Sequence, residues 1–200
     1  MGVDVEESER RAAEFLASVP EWIWDGSTLP IPVEEIADTH AGLLVRDVED
    51  MSTAPGCPQP DAGQSISGLL LPSLGEIWVN AEEAREWPAR RRFTIAHELG
   101  HWVMHQSEQT SLFCRHGSVD DGAQEPQDAH GAKGAKASAK GKRPELPAIE
   151  EEANCFAAAL LMPAEMVRSE YARAKGDFGA LCERFSSSGA AMGRRLHQTV

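Results

Sequence analysis

The sequence predicts an α+β fold: a small sheet of about three strands, antiparallel or mixed, packed on a mainly helical body. Three observations carry that expectation. Branched and leucine-rich runs of strand length cluster between residues 43 and 80. Helical apolar spacing dominates on both sides of them, and stretches rich in Pro and Gly separate the runs. With 200 residues, 42% hydrophobic and 26% charged, the chain suffices for one ordinary core.

Taken in order, residues 1–30 read as an N-terminal helix and a lead-in. Over Glu6–Val19, Ala12, Ala13, Leu16 and Val19 recur against Glu7, Arg11 and Glu14, and Pro20 stops the pattern. Residues 31–116 hold the sheet and a long helix. Pro32 opens a second helix through Ala37, and Leu43–Val48 reads as a strand. Residues 52–64 carry Pro55, Gly56, Pro58, Pro60 and Gly63 and read as loop. Ile66–Leu71 and Glu76–Asn80 flank Pro72-Ser73-Leu74-Gly75, which is a hairpin signal. The long helix is expected from near Pro88 to His105.

Residues 117–147 break the pattern. Gly131–Arg143 is low-complexity and purely basic, with no aromatic residue for stacking on bases, so a solvated, disordered insertion is expected. Residues 148–200 return to helix, with Pro163 ending the first segment and Ser186-Ser187-Ser188 joining the last two.

Net charge is −13, with acidic residues concentrated in the first fifty positions. Such a surface repels nucleic acid and anionic membranes and attracts basic partners, although solubility alone also accounts for it. No apolar run approaches the ~20 residues that span a bilayer. The acidic start lacks the features of a signal peptide, and Glu6 stands where myristoylation after Gly2 wants Ser or Thr. A cytoplasmic location is the resulting expectation. Cys57, Cys114, Cys155 and Cys182 are scattered without a C-x-x-C pair, as free thiols would be.

The most specific signal is His97-Glu98-Leu99-Gly100-His101, set in an apolar helical run. At 100° per residue the two histidines stand one turn apart, offset by about 40°, so both imidazoles can reach one metal ion. Glu98 is rotated off that line, where a carboxylate can take a proton from water without ligating. The pattern points to a zincin-like site with one catalytic zinc, which needs a third protein ligand. Ser107 occupies the position six after His101, which excludes the longer three-histidine motif. His105 lies a further turn on, where three consecutive turns do not bend easily round a tetrahedral ion. The acidic start of the helix after the insertion, Glu150-Glu151-Glu152, is the better source, and the pattern alone leaves all three open.

Three runs resemble the ImmA/IrrE family of metallopeptidases: Arg92–His101, Glu150-x-x-Ala-Asn154-x-Phe-Ala-Ala-x-Leu-Leu-Met-Pro163, and Leu181-x-x-Phe185-x-x-Ser188-x-x-Ala191-Met192-x-x-Arg195-Leu196. The resemblance covers roughly residues 30–198. It implies Glu150 as third ligand, with Glu151 or Glu152 as substitutes, and Asn154 holding the ring N–H of a ligand histidine. It also implies regulated, limited proteolysis of a DNA-binding repressor linked to mobile elements or stress, expected to be basic; from the charge and apolar pattern, no membrane and no direct nucleic-acid partner is expected. Glu98 is then the general base. The oxyanion donor is sought among Tyr171, His105 and His116, and an extended substrate is expected to add to Glu76–Asn80 as an edge strand. Two other classes compete: a DNA-binding regulator, because Phe178–Leu196 mimics a helix-turn-helix with Arg194 and Arg195, and a zinc-stabilised interaction module without peptidase activity.

Overall fold

The computed structural model describes residues 4–55, 57, 65–105, 113–117 and 148–200, and for 113–117 only the backbone. The basic insertion, apart from Gly117, lies outside the described residues.

Helix α1 (Val5–Ser18) starts at Asp4, whose side chain accepts the Glu7 backbone N–H at 3.0 Å. It buries Ala12 and Leu16, as the spacing predicts. The helix expected after Pro32 is shorter and looser: α2 (Val33–Glu35) widens at once into a π turn over Ile36–His40. Strand β1 (Leu44–Val48) follows, and β2 (Ser65–Leu71) and β3 (Glu76–Asn80) make the expected hairpin.

The sheet is mixed, as the fold class allowed, and runs β1-β3-β2-β4. β1 is parallel to β3, whereas β2 is antiparallel to both β3 and β4 (Phe113–Gly117). Three strands precede the long helix and the fourth follows it. This order corrects one expectation: Glu76–Asn80 is an interior strand, flanked on both sides, and offers no edge to a substrate. Alternation along a strand identifies its faces but says nothing about its neighbours.

Each sheet face has its own core. Ile77, Val79 and Leu70 join the main cluster, and Ile66, Leu69 and Leu71 form a smaller one with Met51 on the opposite face. Ile66 and Leu69 share a face despite odd spacing because the pairing with β4 slips between Ile66 and Gly68, leaving Ser67 as the extra residue of a bulge.

Between strand and long helix lies α3 (Ala81–Glu86), which the sequence reading did not anticipate. Its start is legible afterwards: the Asn80 side chain accepts from the backbone N–H groups of Glu82 and Glu83. Helix α4 (Pro88–Met104) is the centre of the molecule. Residues 94–101 are all buried, because β2 and β3 cover one side and α5 (Ala148–Leu161) the other. The remaining helices are α6 (Ala164–Arg173), α7 (Phe178–Phe185) and α8 (Gly189–Thr199), with Asp177 and Ser188 capping the last two as N-caps.

Arginines tie these layers together. Arg91 reaches Glu34 at 2.6 Å and Asp47 at 2.9 Å, and Arg92 donates to the Ile31 carbonyl at 2.8 Å. Arg11 of α1 donates to the Val103 carbonyl at 2.8 Å, placing a cation at the C-terminal end of α4, where the helix dipole favours one. No described helix is long and apolar enough to cross a membrane.

Candidate metal centre

The site is made where α4 and α5 pack closely against each other. Gly100 permits that approach: a Cβ placed on it would lie 3.1 Å from the Ala153 carbonyl oxygen and 3.2 Å from Phe156. With glycine facing alanine, the two backbones draw together and the side chains one turn away converge.

His97 and His101 are both buried, with Nε2 atoms 3.1 Å apart and rings nearly perpendicular. The Glu150 carboxylate straddles them, Oε2 at 3.2 Å from His97 Nε2 and Oε1 at 3.3 Å from His101 Nε2. Burial by itself would push the Glu150 carboxyl up. The neighbouring His101 and His97 rings outweigh that and hold it well below the usual carboxylate range. It is therefore ionised, as a metal ligand must be.

These separations suit a small cation. A tetrahedral ion with bonds of about 2.0–2.1 Å has ligand–ligand edges of roughly 3.3 Å, close to those found. Among the described residues, His97, His101 and Glu150 are the only group of three or more His, Cys, Asp or Glu side chains close enough to share an ion. Asn154, one turn beyond Glu150, has Oδ1 3.1 Å from His97 Nδ1 and so turns Nε2 of that ring towards the shared point.

The remaining candidates fall elsewhere. Glu151 is exposed, and Glu152 lies 3.2 Å from His105 Nε2 instead of at the shared point. His105 places its Nδ1 3.2 Å from His101 Nδ1. Both of its ring nitrogens thus lie at hydrogen-bond distance from neighbouring side chains. The Tyr171 hydroxyl packs beside Gly176 in the turn that closes α6, and α6 packs against α7 and α8. The His116 side chain lies outside the described residues.

Glu98 is wholly buried on the sheet side of α4. It lies against Gly68, where a Cβ would stand 2.8 Å from its Oε1 and 2.4 Å from the Thr94 methyl carbon. The bulge that presents Gly68 is braced by side chains: Arg90 donates to the Ser67 hydroxyl at 3.2 Å and pairs with Glu83 at 3.0 Å, while Ser65 donates to Glu83 at 2.8 Å. The sequence reading missed this support. Its one visible signal is a glycine inside an apolar strand, which marks a bulge or a close backbone approach.

The family model described as the IrrE N-terminal-like domain, a peptidase family, matches residues 65–197. No curated protein matches the chain in a direct sequence search. The matched span takes in β2 with its bulge, α4, α5 and the helices that follow.

Proposed function

Given that this chain belongs to the IrrE N-terminal-like domain family of peptidases, we propose that it is a zinc-dependent endopeptidase acting in the cytoplasm by limited proteolysis of a regulatory protein, a basic transcriptional repressor. One observation carries the reading: two imidazole nitrogens from α4 and a carboxylate from α5 meet within 4.8 Å, with Glu98 beside the first histidine. His97, His101 and Glu150 would hold the zinc ion, which would supply Lewis acidity towards a peptide carbonyl and make water a better nucleophile near neutral pH.

The protein's own groups do the rest. Glu98 accepts the proton of the attacking water and passes it to the departing amine. Asn154 keeps the His97 ring in the orientation that presents Nε2. The net charge of −13 favours a basic substrate, so cleavage slows as salt is added, and a salt-independent rate would remove that steering.

The competing readings fare less well. Arg195, which a helix-turn-helix would offer to DNA, is buried, donates to the Met162 carbonyl at 2.7 Å and pairs with Glu9. A purely structural zinc site has no need of a buried carboxylate beside its ligands, and burying one is costly.

The test is zinc content and cleavage of candidate repressors by the wild type, His97→Ala, Glu98→Gln and Glu150→Gln. Zinc is expected to be lost in the first and third variants and kept in Glu98→Gln, with cleavage lost in all three. A Glu98→Gln variant that still cleaves overturns the mechanism. One that keeps full biological activity without cleavage favours the interaction module.

A further inference from the structure

His105 lies one position past the end of α4, where the backbone has left helical values (φ −113°, ψ 41°) while its N–H still reaches the His101 carbonyl at 3.0 Å. That departure brings its ring beneath His101, the two ring centres being 5.3 Å apart. Its Nδ1 is 3.2 Å from His101 Nδ1, and its Nε2 is 3.2 Å from Glu152 Oε2. His105 is buried and Glu152 is partly so. Three side chains thus run in series from a carboxylate near the surface to the candidate metal centre.

Two ring nitrogens at hydrogen-bond distance attract only if one carries a hydrogen and the other a lone pair. His101 Nε2 is the nitrogen that faces His97 and Glu150, and a neutral imidazole binding a cation through Nε2 carries its hydrogen on Nδ1. That hydrogen is donated to His105 Nδ1, which must be bare. His105 then carries its own hydrogen on Nε2 and donates it to Glu152. The geometry permits one consistent assignment for a zinc-binding His101.

We propose that His105 and Glu152 are positioning residues for zinc, a carboxylate–imidazole chain that fixes the tautomer and tilt of the His101 ring. The two ligand histidines are therefore supported unequally: His97 by the neutral amide of Asn154, His101 by a second imidazole backed by a negative charge. The charged chain strengthens His101 as a donor to a cation more than an amide oxygen strengthens His97. This inference rests on the zinc reading given above.

The test uses the full chain and zinc alone. Affinity is measured by chelator competition for the wild type, His97→Ala, His105→Leu, His105→Gln and Glu152→Gln. Histidine ¹H–¹⁵N spectra of the loaded wild type and of the variants that bind report which ring nitrogen of His101 carries hydrogen. His105→Leu is expected to lose about 10- to 100-fold in affinity. His105→Gln recovers most of it, because its amide can accept from His101 and donate to Glu152. Glu152→Gln, which keeps an acceptor and removes the charge, loses a smaller factor. Should His105→Leu not fold, Glu152→Gln and the wild-type tautomer decide.

Hydrogen on His101 Nε2 in the loaded wild type overturns the proposal. So does zinc affinity unchanged in both His105→Leu and Glu152→Gln while His97→Ala loses it, and in that case the metal centre itself stands. A wild type that binds no zinc overturns the metal centre, and the chain behind His101 with it.

Discussion

Gly68 in β2 lies so close to Glu98 in α4 that a single added carbon would come 2.8 Å from the carboxylate oxygen. The strand thereby sets where the proposed base can sit. Gly68→Ala is expected to cost about 1–3 kcal/mol in stability from overpacking. Cleavage should fall by at least about tenfold, equivalent to ~1.4 kcal/mol in the barrier. Zinc affinity should change little, since the ligands lie elsewhere. Adding Thr94→Ser removes the methyl that stands 2.4 Å from the new carbon, so it should restore stability without restoring the rate. Thermal melts and single-turnover cleavage separate the two effects; a double variant with full activity would show that Gly68 only makes room.

The approach of α4 to α5 predicts a different phenotype at Gly100. An added methyl meets the Ala153 carbonyl at 3.1 Å and Phe156 at 3.2 Å, so the helices must part by a few tenths of an ångström. Gly100→Ala should therefore weaken zinc binding by several-fold through the Glu150 contact, at a stability cost of about 1–2 kcal/mol. Chelator competition reads this directly. Wild-type affinity in a variant of lowered stability would mean the site tolerates the parting.

Asn154 supports His97 through one 3.1 Å contact. Asn154→Ala should lower zinc affinity by about 10-fold or more, whereas Asn154→Asp retains the acceptor and stays near wild type. Equal losses in both variants would point to packing instead of ring orientation.

Arg195 is 1% exposed, donates to the Met162 carbonyl and pairs with Glu9, so it joins α8, the end of α5 and α1. Truncating it leaves a carbonyl and a carboxylate without their partner. Arg195→Ala should cost about 3–5 kcal/mol, and Glu9→Gln less because Glu9 is partly exposed. Urea unfolding measures both. An Arg195→Ala protein within about 0.5 kcal/mol of wild type would exclude this anchor.

Glu34 supplies a pH dependence. Its hydrogen bond with Arg91 holds its carboxyl below the ordinary glutamate value of 4.5. A carboxyl depressed on folding contributes stability that is fully present above the unfolded value and is lost as pH falls through the folded one. The pair is partly exposed, so the contribution is only about half a kcal/mol. Glu34→Gln should remove that part of the acid-side loss below pH 4.5 and leave the slope near neutrality unchanged, as unfolding at several pH values would show.

The sequence by itself determined the class of this protein and the inner part of its site. His97, Glu98 and His101 are legible because helical periodicity is local: once residues 88–104 form a helix, two imidazoles a turn apart must share a side. The helices around Pro163 and Ser188 and the β2–β3 hairpin are legible for the same reason, since their signals lie within a few residues of the elements they bound. Strand order was not, and the expected edge at Glu76–Asn80 proved interior, because no local pattern states which strand lies beside which.

Tertiary structure decided what depends on distance in space. It brought Glu150 to the histidine pair and sent Glu152 to His105, although both belong to one acidic triplet on one helix. It turned Tyr171 towards its own turn, and made Gly68 and Gly100 the points where strand and helix close on α4. Side chains two residues apart on a helix differ by about 200° in direction, so their roles follow from the crossing of two helices, which only the packed core fixes.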